Sequence, residues 1–381
     1  MGDALELAVV AGEASGDAHA GALVRAFAGR LPEARWYGAG GPSLRAAGVE
    51  ILVPSESLAV VGIGEVLLRL PGLWRALGTL KAALRERRPG ALVLVDFPDF
   101  NFRLARHAKR LGIPVVYYIT PQVWAWRPGR TRFLAANVDL ALVLFPFEEE
   151  FLKARGVEAR FVGHPLVDTA RPASSLEEFL TRHGLSPRAP RVALLPGSRP
   201  SEVRRNLPAL AGAAALLRKT HPEAVPMVPW AHGLPASLRG PFDGGPIRWV
   251  EGEYADVLGH AQAAAVASGT ATLEAALMGV PQVVVYRVNR LTYQIGRRLV
   301  TLPHVALPNV VAGRAAVPEL LQGAFTPQAV ARALAGFLDS GEQARREAAA
   351  MEKEMRKRLG EGGASARAAS ELQAFLELRR P

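Results

Sequence analysis

The chain has 381 residues, 49% of them hydrophobic and 21% charged, with a formal net charge of +11 and no cysteine. This composition excludes a disordered chain, and the missing thiols exclude disulfides, thiolate metal sites and a cysteine nucleophile. The length exceeds what one ordinary α/β core fills and predicts two domains of similar size, while the positive charge favours anionic partners.

The N-terminus runs directly into a strand-like segment without the basic start and long apolar stretch of a secretory signal, so the expected location is the cytoplasm. No apolar run approaches the roughly 18 residues of a spanning helix, so any membrane contact is expected to be peripheral.

In chain order, Leu5 to Val10 reads as a first strand and Ala20 to Gly29 as a helix. Between them lies Gly12-Glu13-Ala14-Ser15-Gly16-Asp17, where glycines permit a tight turn and close approach of backbone to a ligand. Gly16, Asp17 and His19 are candidate substrate-cleft residues; an ordinary α/β turn accounts for the same glycines. The third glycine of the dinucleotide fingerprint is missing, which argues against hydride chemistry. Leu58 to Arg75 is unusually apolar, with Arg69 and Arg75 its only basic residues. It fits a helix lying in a bilayer surface or accepting acyl chains, and equally a core helix.

Ala91 to Val95 is a continuous apolar run and therefore a buried strand. In the following Asp96-Phe97-Pro98-Asp99-Phe100-Asn101, Pro98 stops the strand and Asp99 emerges near the carboxyl edge of the sheet. A general base belongs there, whereas Asp96 reads as structural. Asn101 is the natural N-cap of a helix starting at Phe102 and including Arg103 to Arg110. After a strand over Val115 to Ile119, the stretch Pro121 to Arg132 interleaves Trp124 and Trp126 with Arg127, Arg130 and Arg132. One loop is thin support for nucleic-acid stacking, and Trp126 and Arg127 read as contacts for an anionic substrate; a buried tryptophan pair with exposed arginines is the competing account. Strands over Leu140 to Leu144 and Arg160 to Val162 complete the first half, and the polar, proline-containing Asp168 to Ser175 reads as a linker.

A second series has strands over Val192 to Leu195, Val225 to Val228, Ala263 to Ala267 and Gln282 to Val285, with helices near Arg204 to Arg218, Thr272 to Met278 and Leu291 to Leu299. Leu195-Pro196-Gly197-Ser198-Arg199 ends its first strand before a helix starting near Glu202. Free N–H groups at such a terminus and the forked Arg199 guanidinium suit a diphosphate, with Gly197 and Ser198 lining it. Ser268, Gly269 and Thr270 form a similar terminus, and Glu274, one turn further, can accept two hydroxyl hydrogens from a ribose. No metal-binding spacing is found, so neither metal nor cofactor is expected. From about Gln328 the chain is mainly helical. The fold class is therefore α/β, with two Rossmann-like, doubly wound parallel-sheet domains facing a cleft.

Taken together, Val10 to Asp17, Pro98-Asp99-Phe100-Asn101, Val123 to Arg127, Phe145-Pro146-Phe147-Glu148, Leu194 to Arg199, Ala267 to Ala271, Leu307-Pro308-Asn309 and Ala312-Gly313-Arg314 resemble, in order, the lipid-A-disaccharide synthase family of inverting GT-B-type glycosyltransferases. Departures are Phe97 where a smaller residue is usual, Gln122 for a small residue, and Pro165 after His164. The resemblance implies transfer of a 2,3-diacylglucosamine unit from its UDP conjugate to the 6-hydroxyl of 2,3-diacylglucosamine 1-phosphate, giving a β-1,6 disaccharide and UDP. It implies Asp99 as base, Arg199 on the diphosphate, Ser268 to Thr270 and Glu274 on the nucleotide, and Asn309 as a further donor-site residue. It also implies a membrane-facing or acyl-contacting role for Val61, Ile63, Val66, Leu67 and Leu70. The partners expected are the two acylated sugars and the anionic inner face of the cytoplasmic membrane, not nucleic acid, with room for a homo-oligomer. The expected domains are 1–167 for the acceptor, 168–345 for the donor, and a helical tail, 346–381, packing back on the first domain. The rival readings are another UDP-N-acetylglucosamine enzyme of this architecture, a peptidoglycan-type transferase or an epimerase, and a non-catalytic nucleotide- or lipid-binding protein.

Overall fold

The computed structural model describes residues 5–58, 63–125, 129–231, 233–289 and 303–379, with the backbone alone described for 63–70. The chain divides into two compact units, Met1–Pro165 with Leu359–Pro381, and Leu166–Arg358.

The first unit holds a seven-stranded sheet: β1 (Glu6–Ala11), β2 (Arg35–Gly40), β3 (Glu50–Pro54), β4 (Ala91–Val95), β5 (Val115–Tyr118), β6 (Leu140–Val143) and β7 (Ala159–Phe161). Their order is β3-β2-β1-β4-β5-β6-β7 and every pairing is parallel. The second unit holds β8 (Arg191–Leu195), β9 (Val225–Trp230), β10 (Arg248–Glu251), β11 (Ala263–Ala267), β12 (Gln282–Tyr286) and β13 (Glu319–Leu321). Its order is β10-β9-β8-β11-β12-β13, again all parallel. Strands β1, β4, β8 and β11 are almost wholly buried, as their continuous apolar runs require of a sheet covered on both faces.

Each sheet reverses its winding once, between β1 and β4 in the first unit and between β8 and β11 in the second. Open α/β sheets bind ligands beyond the carboxyl ends of the strands at such switch points. The four motifs carrying the proposed chemistry leave these four strands: Gly12–Asp17 after β1, Asp96–Asn101 after β4, Gly197–Arg199 after β8 and Ser268–Glu274 after β11.

The helices of the first unit are α1 (Ala14–Ala28), α2 (Pro42–Ala46), α3 (Ile63–Arg87), α4 (Pro98–Arg110), α5 (Arg130–Asn137) and α6 (Pro146–Lys153). Those of the second are α7 (Leu166–Thr169), α8 (Leu176–His183), α9 (Pro200–Thr220), α10 (Tyr254–Gly259), α11 (Thr270–Leu277), α12 (Leu307–Ala312), α13 (Pro327–Ser340) and α14 (Glu342–Leu359). The last helix, α15 (Ala364–Glu377), packs in the first unit against α1, where Arg30 Nε donates to Gln373 Oε1 at 2.6 Å. By contrast α14 is tied to the second unit, with Arg356 and Arg358 donating to the carbonyls of Leu277 and Val311.

Sequence reading did not anticipate β2, β3, β10 or β13. In β2 the obstacle is glycine: Gly38, at φ +151°, brings the backbone so close to β1 that a Cβ would lie 1.9 Å from the Val9 carbonyl oxygen. The other three are short, partly exposed edge strands: β10 and β13 have no apolar run of three, and β3 has only Ile51 to Val53. In α3, Ala76, Leu77, Leu80, Ala83 and Leu84 are buried in the core, so this half is a core helix. Val61 lies outside the described residues, and for Ile63, Val66, Leu67 and Leu70 only the helical backbone is described. Among the described residues, no helix is long and apolar enough to cross a membrane.

Candidate active site

Around the β8/β11 switch point the second unit encloses a cavity of about 560 Å3. Leu195 to Arg199, Trp230, Gly252, Tyr254 and Ala267 to Ala271 line it together with Glu202 and Glu274, so every nucleotide-contact candidate of this unit except Asn309 reaches one space.

Its two helix termini differ. At α11, Gly269 adopts φ +147° and supplies no side-chain cap, and the N–H groups of Gly269, Thr270 and Ala271 have no partner among the described residues. Together with the dipole of α11 these donors make an open anion site. The Ser268 hydroxyl donates to the Val305 carbonyl at 3.2 Å, while Gly269 and Thr270 are exposed. At α9 the helix starts at Pro200 rather than Glu202, and the Glu202 carboxylate folds back over the terminus. It accepts from the N–H groups of Ser198 at 3.2 Å and Arg199 at 3.3 Å, and pairs with Arg199 Nη1 at 3.3 Å. Gly197 is required for this geometry: at φ +113° an added Cβ would sit 2.5 Å from Glu202 Oε2. An anion using these N–H groups must therefore displace a carboxylate that already holds them.

On the opposite wall, Glu274 Oε2 accepts from the Tyr254 hydroxyl at 2.5 Å. Burial raises the Glu274 pKa against the opposing effect of that bond, and burial first and the carboxylate second hold the Tyr254 hydroxyl well above the ordinary tyrosine range. Asn309, implied by the resemblance as a further donor-site residue, does not line this cavity. It is fully buried; its amide donates to Val317 O and Glu319 Oε1, and its oxygen accepts from the N–H groups of Ala316 and Val317, leaving nothing for a ligand.

At the β1/β4 switch point the chain turns through two consecutive left-handed residues, Asp96 at φ 47° and Phe97 at φ 49°. Such conformations are costly outside glycine and persist only when their surroundings fix them. Here the Asp96 carbonyl accepts from both Asn101 Nδ2 and the Tyr117 hydroxyl at 2.7 Å. Helix α4 consequently begins at Pro98, four residues earlier than expected, and Asn101 is a buried brace rather than its N-cap. Asp99 falls in the first turn with its side chain 84% exposed, and Arg130 Nη2 donates to its Oδ1 at 2.7 Å. It thus presents an accessible carboxylate at the sheet's carboxyl edge.

The Asp17 carboxylate, a candidate of the first unit, is buried and accepts from the N–H groups of Gly41, Ser43 and Leu44 at 2.6, 2.8 and 3.3 Å, capping α2. Gly16 is buried beside Ala11 and Val95, and His19 is half-buried, with its pKa lowered by desolvation. Trp126 and Arg127 lie outside the described residues. Trp124 is a core residue: its indole donates at 2.7 Å to Glu148, which also accepts from the N–H groups of Leu144 and Phe145. Burial pushes the Glu148 carboxyl up to about 7 despite these three donors.

The sequence pattern of the lipid-A-disaccharide synthetase family matches residues 7–374. The chain belongs to the lipid-A-disaccharide synthetase family. It is 46% identical over 376 residues to the lipid-A-disaccharide synthase of Myxococcus xanthus, covering 98% of this chain and 97% of that one. Its fold is similar to that of a Listeria monocytogenes protein described as a UDP-N-acetylglucosamine 2-epimerase (TM-score 0.69, 13% identity, 99% and 98% coverage) and of Acinetobacter baumannii MurG (TM-score 0.58, 13% identity, 97% and 99% coverage). Membership of the synthetase family makes this chain a glycosyltransferase, and its two parallel-sheet units have the GT-B fold. Tyr254, Glu202 and Arg130 are the site residues that sequence reading missed. Tyr254 follows β10, which has no strand signal of its own, so its place at a strand exit was hidden.

Proposed function

We propose that the chain transfers a 2,3-diacylglucosamine unit from its UDP conjugate to the 6-hydroxyl of 2,3-diacylglucosamine 1-phosphate, releasing UDP and inverting the anomeric centre. The observation that carries this reading is the cavity at the β8/β11 switch point, where an open helix terminus for phosphate and a carboxylate for ribose face one space. Gly197, Ser198 and Arg199 complete the diphosphate side, and Ser268, Gly269 and Thr270 the α11 side. In this mechanism Asp99 takes the proton from the acceptor hydroxyl as its oxygen attacks the anomeric carbon. UDP departs with its developing charge met by N–H donors and the Arg199 guanidinium. The exposure of Asp99 supports its role, since a base must reach the hydroxyl it deprotonates.

The acylated substrates are supplied, in this reading, by an anionic membrane surface that the protein touches peripherally. Trp74 on α3 is 56% exposed, with the Arg103 guanidinium 4.8 Å from its ring centroid, a pairing of aromatic and cation that suits a headgroup region.

The test is mass spectrometry of the products after mixing the protein with UDP-2,3-diacylglucosamine and 2,3-diacylglucosamine 1-phosphate. A disaccharide 1-phosphate is expected; turnover only of unacylated UDP-N-acetylglucosamine would overturn the acylated-substrate assignment.

A further inference from the structure

The loop after β10 is fixed from several sides before any ligand arrives. The Gly252 N–H donates to the Trp230 carbonyl at 3.2 Å, tying the loop to the end of β9. The side chain of Glu253 points away to Arg182 and His183 on α8. One turn along, Asp256 accepts from the N–H groups of Ala173 and Ser174 at 2.6 and 2.9 Å, anchoring α10 to the segment before α8. Tyr254, the first residue of α10, is therefore held against the cavity wall, with its hydroxyl on Glu274 Oε2.

A glutamate side chain left alone samples several rotamers, and freezing it costs entropy that a ligand would otherwise have to overcome. Here one oxygen of a side chain that lines the cavity is already bonded to the Tyr254 hydroxyl, while Oε1 has no partner among the described residues. An ionised carboxylate has about four lone-pair directions, so the tyrosine occupies one and leaves the rest for hydroxyl donors. A vicinal diol supplies two such donors; a sugar lacking one hydroxyl leaves a half-buried acceptor unpaired, which sites built for hydrogen bonding reject strongly.

We infer that Tyr254 is a positioning residue that orients Glu274 toward the ribose diol and so makes the cavity selective for ribonucleoside over 2′-deoxyribonucleoside diphosphates. The inference rests on the reading of this cavity as the UDP site. The residue touches no reacting atom, and its effect passes entirely through Glu274.

The experiment is titration calorimetry of the full chain with UDP and 2′-deoxy-UDP. Wild type should favour UDP by at least about 10-fold. Tyr254→Phe, which removes only the hydroxyl, should weaken UDP by roughly 10-fold while leaving 2′-deoxy-UDP within about 3-fold, so that the preference collapses. Glu274→Gln should lose the same preference, and the double variant should bind UDP no more weakly than Glu274→Gln alone, because the two residues act in series. Equal weakening of both nucleotides by Tyr254→Phe, or no weakening, would reduce Tyr254 to a wall residue and overturn the inference with the UDP site intact. Wild type that binds both nucleotides equally would remove Glu274 from the ribose and overturn it as well. Wild type that binds neither nucleotide would instead remove the UDP reading of the cavity, and the inference with it.

Discussion

At the β8/β11 switch point the chain leaves an open space of about 560 Å3, whereas at the β1/β4 switch point a phenylalanine ring lies across the turn that follows β1. A Cβ built on Gly12 would fall 2.3 Å from Phe97 Cδ1, so the glycine there accommodates a neighbouring side chain of the protein itself. The two units share parallel winding and a single reversal, and the motif glycines occupy corresponding places after β1 and β8. Topology therefore says where a crevice can form, and the residues at its mouth decide whether it stays open. In the second unit Glu202, Tyr254 and two helix termini surround the space; in the first, Phe97 fills the turn and Asp99 is carried outward.

This contrast can be broken or sharpened experimentally. The largest effect is expected from Asp99→Ala, which should lower turnover by about 10²–10⁴-fold while UDP affinity, measured by calorimetry, stays within about 2-fold. Equal losses in both would move Asp99 from proton transfer to general support of the fold. Next, Gly12→Ala should destabilise the protein by roughly 1–3 kcal/mol in denaturant titrations, and Phe97→Ala in the same chain should recover most of that difference, since the nearest atoms all belong to that ring. Additive losses would show that something other than Phe97 closes the first crevice. A smaller effect, in the opposite direction, is expected from Glu202→Gln: UDP should bind about 3- to 10-fold more tightly, and uridine unchanged, because a neutral amide competes less well for the Ser198 and Arg199 N–H groups. Weaker UDP binding would make Glu202 a brace for the loop instead.

A pH-dependent change concerns the buried surroundings of His164 in the first unit. His164 is buried against Phe145, and burial, then the charge of His19, holds its pKa down to about 3 against 6.5. A base depressed on folding contributes stability that is complete above its unfolded pKa of 6.5 and lost as pH falls toward 3. His164→Gln should therefore show a shallower drop in Tm than wild type between pH 7 and pH 4; parallel curves would mean that His164 is not the group responsible.

How much was legible in the sequence follows from the same physics. Central strands such as β4 and β11 are runs of apolar residues because both faces are covered, and that pattern places Asp99, Gly197, Ser268 and Glu274 at strand exits without further information. Edge strands are wetted on one side and short, so β10 and with it Tyr254 stayed hidden. Partnership was less legible still. Asp17 and Asn309 are polar residues beside the motifs, and only their hydrogen-bond partners reveal that Asp17 is held by backbone N–H groups and Asn309 by backbone groups and Glu319. Asn101 illustrates the boundary error: the left-handed pair at Asp96 and Phe97 starts the helix early, and no propensity rule expects two such residues in a row.

The carboxylate of Glu202 also bears on the end of the catalytic cycle. When UDP leaves this pocket in the proposed reaction, the amide donors it vacates need not await solvent, because a carboxylate three and four residues along the chain is already tethered at high effective concentration. In the proposed reaction departure is then an exchange of one negative group for another, so removing this carboxylate is expected to lengthen the residence time of UDP as well as to raise its affinity.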